Sequence, residues 1–163
     1  EPVFHTREVR DKLEKNLMLF YTKLTRDASD VLESQNKATK DKRAVLAKMR
    51  DLVIPLRDIL SGNENLRLVG EILHESWLLK KSITNDISNA TIDFYYEKAL
   101  KAGAVGGKLL GAGGGGFIML YVEPEFHPKV RDSLKDLFCL DVKLDNGGTR
   151  ITYYDQDKVY ERL

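Results

Sequence analysis

The chain has 163 residues, 42% of them hydrophobic and 31% charged, with a formal net charge of +1. That length suits one domain whose core needs no staples, and the composition is that of a soluble folded protein rather than a disordered one. Near-neutral charge excludes bulk attraction to nucleic acid or an anionic membrane, and no apolar run reaches the length of a membrane span.

One cysteine, Cys139, rules out an internal disulfide and fits a reducing compartment, so the cytoplasm is the expected location. It stands at an apolar helix-to-strand junction, which points to a buried structural thiol rather than a nucleophile. The N-terminus carries no signal-peptide core. The chain opens Glu1-Pro2-Val3-Phe4 without a methionine, as a processed chain or an excised domain would.

Thr6 to Lys15 is polar and reads as a short helix or a linker. Asn16 to Thr22 is the first strong strand, apolar on both faces and therefore expected in the middle of a sheet. Leu24-Thr25-Arg26-Asp27 reads as a helix start, with Thr25 as N-cap and Asp27 favourable in the first turn; Val31 and Leu32 continue it. Lys37 to Arg50 carries five further lysines and arginines against one acid, Asp41. Without interleaved aromatics this is the solvated face of a helix rather than an RNA patch. Its other face shows Val45, Met49, Leu52, Val53, Leu56, Ile59 and Leu60 at spacings of three and four. Pro55 should kink that helix or end it near Ile54, and Gly62 should stop it.

A third helix is expected from Asn65 to Lys81, with Leu66, Val69, Ile72, Leu73 and Trp77 on one face. His74 has no second histidine at metal-ligand spacing and reads as a solvated or hydrogen-bonded helix residue, so no metal site is expected. Ser88 begins a fourth helix with Ile92, Tyr95, Tyr96 and Ala99 buried, ended by Gly103. Gly107–Leu110 then pairs with Phe117–Val122. Pro124 breaks that strand, and Pro128 suits the first turn of a helix whose Val130, Leu134, Leu137 and Phe138 face inward. Leu140, Val142 and Leu144 alternate with Asp141 and Lys143 as a half-buried strand. Asn146-Gly147 signals a two-residue hairpin leading to a last strand with Ile151 and Tyr153.

Eight of the twelve glycines lie between Gly103 and Gly116, and five of the six positions from Gly111 to Gly116 are glycine. Consecutive glycines lose the most backbone entropy on ordering, so they belong where side chains would obstruct something. One reading is a tight hairpin that needs positive φ. The other is a bare loop whose peptide N–H groups cradle phosphate, with Lys108 just upstream to neutralise charge. The second is favoured because a hairpin needs only one or two glycines.

The order strand, helices, strand, strand, helix, strand is α+β: a ferredoxin-like split β-α-β antiparallel sheet with a helical insertion of roughly 80 residues after the first strand. Helices are expected on one face of that sheet. Residues 1–163 form a single domain on this reading.

Val69-Gly70-Glu71-Ile72-Leu73-His74-Glu75-Ser76-Trp77, then Ile87-Ser88-Asn89-Ala90-Thr91-Ile92-Asp93, then Gly103 to Phe117 resemble the C-terminal half of the GHMP small-molecule kinases. The glycine stretch is similar to that family's third conserved motif, and the resemblance covers about residues 16 to 154. Within the family, Glu75 to Lys81 and the uninterrupted Gly113–Gly116 are most similar to kinases of D-glycero-D-manno-heptose 7-phosphate, with fucokinase and galactokinase close behind. The ATP-wrapping loop of the family's N-terminal half has no counterpart here.

The resemblance therefore implies the C-terminal domain of an ATP- and Mg²⁺-dependent sugar-phosphate kinase, partnered by an N-terminal kinase domain of the same polypeptide. It implies no catalytic residue in this chain. Gly111, Ala112, Gly113, Gly114, Gly115 and Gly116 would approach the γ-phosphate, and Trp77, Lys80, Lys81 and Lys108 would line the sugar-phosphate side. The isolated chain is expected to be inactive. The non-enzyme alternative is a ferredoxin-like small-molecule-binding or assembly module, and either reading is compatible with an oligomer.

Overall fold

The computed structural model describes residues 3, 5–25, 32–33, 36, 42–62, 65–111, 113–145 and 147–153. The first element, α1, is Arg7–Asn16, so the linker alternative for this stretch falls away. Thr6 caps it, its Oγ1 accepting from the Val9 N–H at 3.2 Å. The chain passes without a loop into β1, Leu17–Tyr21, where Met18 and Phe20 are buried. The helix expected from Thr25 lies almost wholly outside the described residues, as does the stretch 37–41 of the basic run.

The long helix predicted around Pro55 is two helices, α2 (Arg43–Asp51) and α3 (Val53–Gly62), broken at Leu52 rather than near Ile54. Proline lacks the N–H that would bond the Asp51 carbonyl, and its ring crowds that oxygen. The break therefore falls ahead of the proline, which sits in the first turn of α3. Next come α4 (Arg67–Lys81) and α5 (Ala90–Ala102). Asn89, not Ser88, caps α5, accepting from the Thr91 and Ile92 N–H groups. Gly103 ends α5 at φ 117°, in the left-handed region that favours glycine.

Strands β2 (Ala104–Leu110) and β3 (Phe117–Val122) form the glycine-framed hairpin. Helix α6 (His127–Ser133) carries Pro128 in its first turn, and β4 is Phe138–Leu140. The sheet runs β2-β3-β1-β4 with every neighbour antiparallel. This is the split β-α-β order that the element sequence predicts, and β1 is indeed interior.

Three expectations need correction. Phe138 is 62% exposed, because it belongs to the edge strand β4 and not to the inner face of a helix. The strand through Val142 and Leu144 stops at Leu140. Glu14 on α1 accepts the Leu144 N–H at 2.9 Å and Arg10 donates to the Leu144 carbonyl, so helix side chains take the groups a strand partner would need. Beyond it, Ile151 and Tyr153 lie in no strand and are 84% and 78% exposed, while Asn146 of the predicted hairpin is outside the described residues.

Helices also cover more than one face. The larger core packs Met18, Phe20, Ile118, Leu120 and Val122 against Ile92, Ala99, Val130 and Leu134. Side chains alternate along a strand, so Tyr121 points the opposite way. There it joins Val9 of α1, Ile59 of α3 and Val69 of α4 in a second cluster. Helix α4 contributes Val69 to the second cluster and Trp77 to the first, so it passes the β2 edge from one face to the other. The seam is close: a Cβ on Gly106 would stand 2.1 Å from the Gly70 carbonyl oxygen.

Cys139 is half-buried in β4 opposite Phe20, and burial pushes its thiol pKa up, as a structural cysteine requires. His74 bonds the Tyr96 hydroxyl through Nδ1 at 2.9 Å, and that hydroxyl donates to the Gly107 carbonyl at 3.1 Å.

Candidate functional site

The turn between β2 and β3 is built from backbone that other residues do not adopt readily. Gly111, Gly113, Gly114 and Gly116 have φ of 91°, 133°, 74° and 98°. Gly115 needs to be bare for a different reason: a Cβ there would meet the Leu24 carbonyl oxygen at 2.4 Å. Gly111 faces open space, with nothing within 4 Å of where its Cβ would stand. Ala112 lies outside the described residues.

The turn is pinned from two sides. On the β1 side, the Gly116 N–H donates to the Leu24 carbonyl at 2.9 Å, and the Thr22 N–H and Oγ1 both donate to the Gly116 carbonyl. On the α5 side, the Gly114 N–H donates to the Ile87 carbonyl at 3.0 Å and Asn89 Nδ2 donates to the Gly114 carbonyl at 3.1 Å. These bonds narrow the phosphate cradle that the glycine run suggests. The N–H groups of Gly114 and Gly116 are already satisfied, while among the described residues those of Gly113 and Gly115 meet no such acceptor.

Two lysines converge at the start of the turn. Lys80, near the end of α4, donates to the Gly111 carbonyl at 3.0 Å. Burial holds its pKa below the usual lysine range, and the positive charge of Lys108 lowers it further. Among the described residues neither lysine pairs with a carboxylate. Two cations held together beside a bare backbone turn make a local excess of positive charge that an anion would relieve. Lys81 is different: its Nζ is 2.7 Å from Asp93 Oδ1, which also accepts from Ser88 Oγ, so its charge is already answered within the domain. Among the described residues no cluster of three metal-ligating side chains occurs, and no helix is long and apolar enough to cross a membrane.

The family described as GHMP kinases C terminal matches residues 56–138, half of the chain, and the match takes in α4, α5 and the whole glycine hairpin. The chain belongs to the GHMP kinase C-terminal family. It is 30% identical over 118 residues to a D-glycero-alpha-D-manno-heptose 7-phosphate kinase of Campylobacter jejuni, covering 71% of this chain and 34% of that protein. It is 28% identical over 150 residues to a bifunctional fucokinase/GDP-fucose pyrophosphorylase of Arabidopsis thaliana, covering 89% of this chain and 14% of that protein. Among solved structures, the mevalonate kinase of Methanococcus jannaschii superposes with a TM-score of 0.65 at 21% identity, over 83% of this chain and 41% of that one. That likeness establishes the fold. The chain therefore spans about a third or less of the curated relatives it matches.

Within this GHMP domain the structure sorts the residues singled out from sequence. Gly111, Gly113–Gly116, Lys80 and Lys108 come together at one end of the sheet. Trp77 does not join them: it is fully buried against Tyr96, ring centroids 6.2 Å apart, and lines no surface. On α4 it follows Val69 and Leu73 at spacings of four, on the face that packs inward. The sequence reading misses Thr22, Leu24 and Asn89, the residues that hold the GHMP glycine turn in place. Asn89 had a visible signal, a capping residue three positions before Ile92, the first buried residue of α5. Thr22 had a weaker one, a lone hydroxyl at the end of an apolar strand.

Proposed function

We propose that this chain is the C-terminal domain of an ATP-dependent kinase of a sugar phosphate, with heptose 7-phosphate as acceptor. The observation that supports the reading is the pair of lysines, Lys80 and Lys108, held without carboxylate partners among the described residues beside the open face of Gly111 in a GHMP-family domain. Phosphoryl transfer asks a protein mainly to position the reactants and stabilise charge on the moving group. Bound ATP with Mg²⁺ supplies the phosphoryl group, and an N-terminal domain of the same polypeptide supplies the rest of the nucleotide site. In this chain the bare turn admits close approach, with the Gly113 and Gly115 N–H groups, which meet no backbone acceptor among the described residues, as its donors. Lys108 supplies the mobile positive charge, and Lys80 fixes the Gly111 carbonyl so that it turns away from the anion. On this reading the group that takes the acceptor's proton belongs to the N-terminal domain, and the domain alone does not catalyse transfer.

The test is ATP turnover by two preparations, this chain alone and the polypeptide carrying both kinase domains. Each is assayed against heptose 7-phosphate, unphosphorylated heptose, fucose and galactose. The expected result is turnover only by the longer protein, with the phosphorylated heptose preferred. Preference for fucose would favour the reading that the Arabidopsis relative supports. Turnover by the chain alone, or none by the longer protein with any sugar, refutes the proposal.

A further inference from the structure

Asn89 makes two sets of hydrogen bonds that run in opposite directions. Its Oδ1 accepts from the Thr91 and Ile92 N–H groups at 3.1 and 3.0 Å, which caps α5. Its Nδ2 donates to the Gly114 carbonyl at 3.1 Å, in the middle of the glycine turn. The two partner sets fix which end of the amide is oxygen, since N–H groups demand the acceptor and a carbonyl demands the donor. The residue is half-buried and its neighbour Ile87 fully so. Capping alone would be served as well by serine or aspartate. Only the amide can cap and also reach the turn.

The second bond matters because of what surrounds it. Gly114 is the one buried glycine of the turn, and its N–H is bonded to the Ile87 carbonyl just ahead of the same cap. Both polar groups of the Gly114 peptide region thus end on residues 87–89. Among the described residues the flanking Gly113 and Gly115 N–H groups meet no backbone acceptor, and their placement depends on how Gly114 between them is held. A turn with this much glycine has wide conformational freedom when unrestrained.

We infer that Asn89 is a positioning residue: it couples the start of α5 to the glycine turn and sets the direction of the Gly113 and Gly115 N–H groups. The consequence for catalysis rests on the kinase reading given above. The consequence for the turn itself does not.

Two substitutions separate the roles. Asn89→Ser keeps a capping oxygen and no charge but has no arm to reach Gly114, and Asn89→Asp keeps the cap while replacing the donor with an acceptor. Amide hydrogen exchange is measured residue by residue on this chain as it stands. With either variant, exchange at Gly114 and Gly116, the hydrogen-bonded amides of the turn, should accelerate at least tenfold while that of Thr91–Tyr96 stays within twofold. In the two-domain kinase, Asn89→Ser should raise KM for ATP or lower kcat by at least tenfold, without lowering Tm by more than a few degrees. Unchanged exchange in the turn, or equal acceleration in the turn and in α5, overturns the inference, since Asn89 would then be a cap alone. If the turn loosens as stated but no preparation phosphorylates any sugar, the positioning role stands and the kinase reading fails.

Discussion

Gly106→Ala tests the packing argument most sharply, because the clash it creates is between two backbones. The added Cβ would stand 2.1 Å from the Gly70 carbonyl oxygen and 2.7 Å from the His74 Cβ, against an ordinary contact of 3.4–4 Å. Neither neighbour is the loose end of a flexible side chain, so α4 and β2 must part by roughly an ångström in a close-packed interior. Overpacking of this kind destabilises by about 3 kcal/mol, the upper end of the usual range. In a chain of this length that lowers Tm by roughly 10 °C. The control is Gly111→Ala, which meets no atom within 4 Å but sits at φ 91°. Its penalty is the left-handed backbone alone, about 1–2 kcal/mol. The assay is thermal unfolding followed by circular dichroism at one protein concentration. A Gly106→Ala protein melting within 2 °C of the parent, or one less damaged than Gly111→Ala, refutes the account of the α4–β2 seam.

The same hairpin gives a pH prediction through Tyr96. Burial raises its pKa above the ordinary tyrosine value, outweighing the downward effect of the Gly107 bond. A group whose folded pKa is raised contributes stability below its unfolded pKa, near 10, and loses it as pH climbs past that point. Tyr96→Phe should therefore flatten the alkaline fall in stability above about pH 10, measured by urea unfolding across pH, while lowering stability at neutral pH by about 1–3 kcal/mol because the Gly107 carbonyl loses its donor. Glu14 works in the opposite direction: the Leu144 N–H, then Lys143 and Arg10, hold its pKa at about 2. Its contribution is present above about pH 4.5 and drains away as pH falls toward 2, so Glu14→Gln should remove that part of the acid sensitivity; parallel stability curves for parent and variant would count against the tether. Removing the Lys108 charge by Lys108→Met should raise the Lys80 pKa, read from the NMR titration of its side chain, and an unchanged titration would show that the two lysines do not interact.

The fold was largely legible because its signals are local and repeated. β1 and β3 are runs of large apolar residues, α5 has a clear stripe ended by Gly103, and Pro128 marks the start of α6. What the sequence misplaces depends on contacts far along the chain. Leu144 alternates as a strand should, yet Glu14 and Arg10, some 130 residues away in sequence, take its backbone groups. Phe138 fits a helical stripe but lies on an edge strand, where half its ring faces out. At the candidate site, composition marked the glycine turn and the lysines near it. The apolar stripe of α4 already placed Trp77 inward, against the substrate-lining role the resemblance implied, but nothing in the sequence showed that Gly114 and Gly116 spend their N–H groups on Ile87 and Leu24. Those facts depend on which segments meet in space, and periodicity carries no information about that.

The passage of α4 across β2 has a consequence for what this sheet can join. A β-sheet grows by offering an unpaired row of peptide groups to an incoming strand, and on the β2 side a helix occupies the approach. The opposite border is β4, only three residues long, with the bulky ring of Phe138 turned outward. Among the described residues, that short border is the one a further strand could reach, whether it came from elsewhere in the polypeptide or from a neighbouring molecule. Sheet extension in this domain is therefore directional.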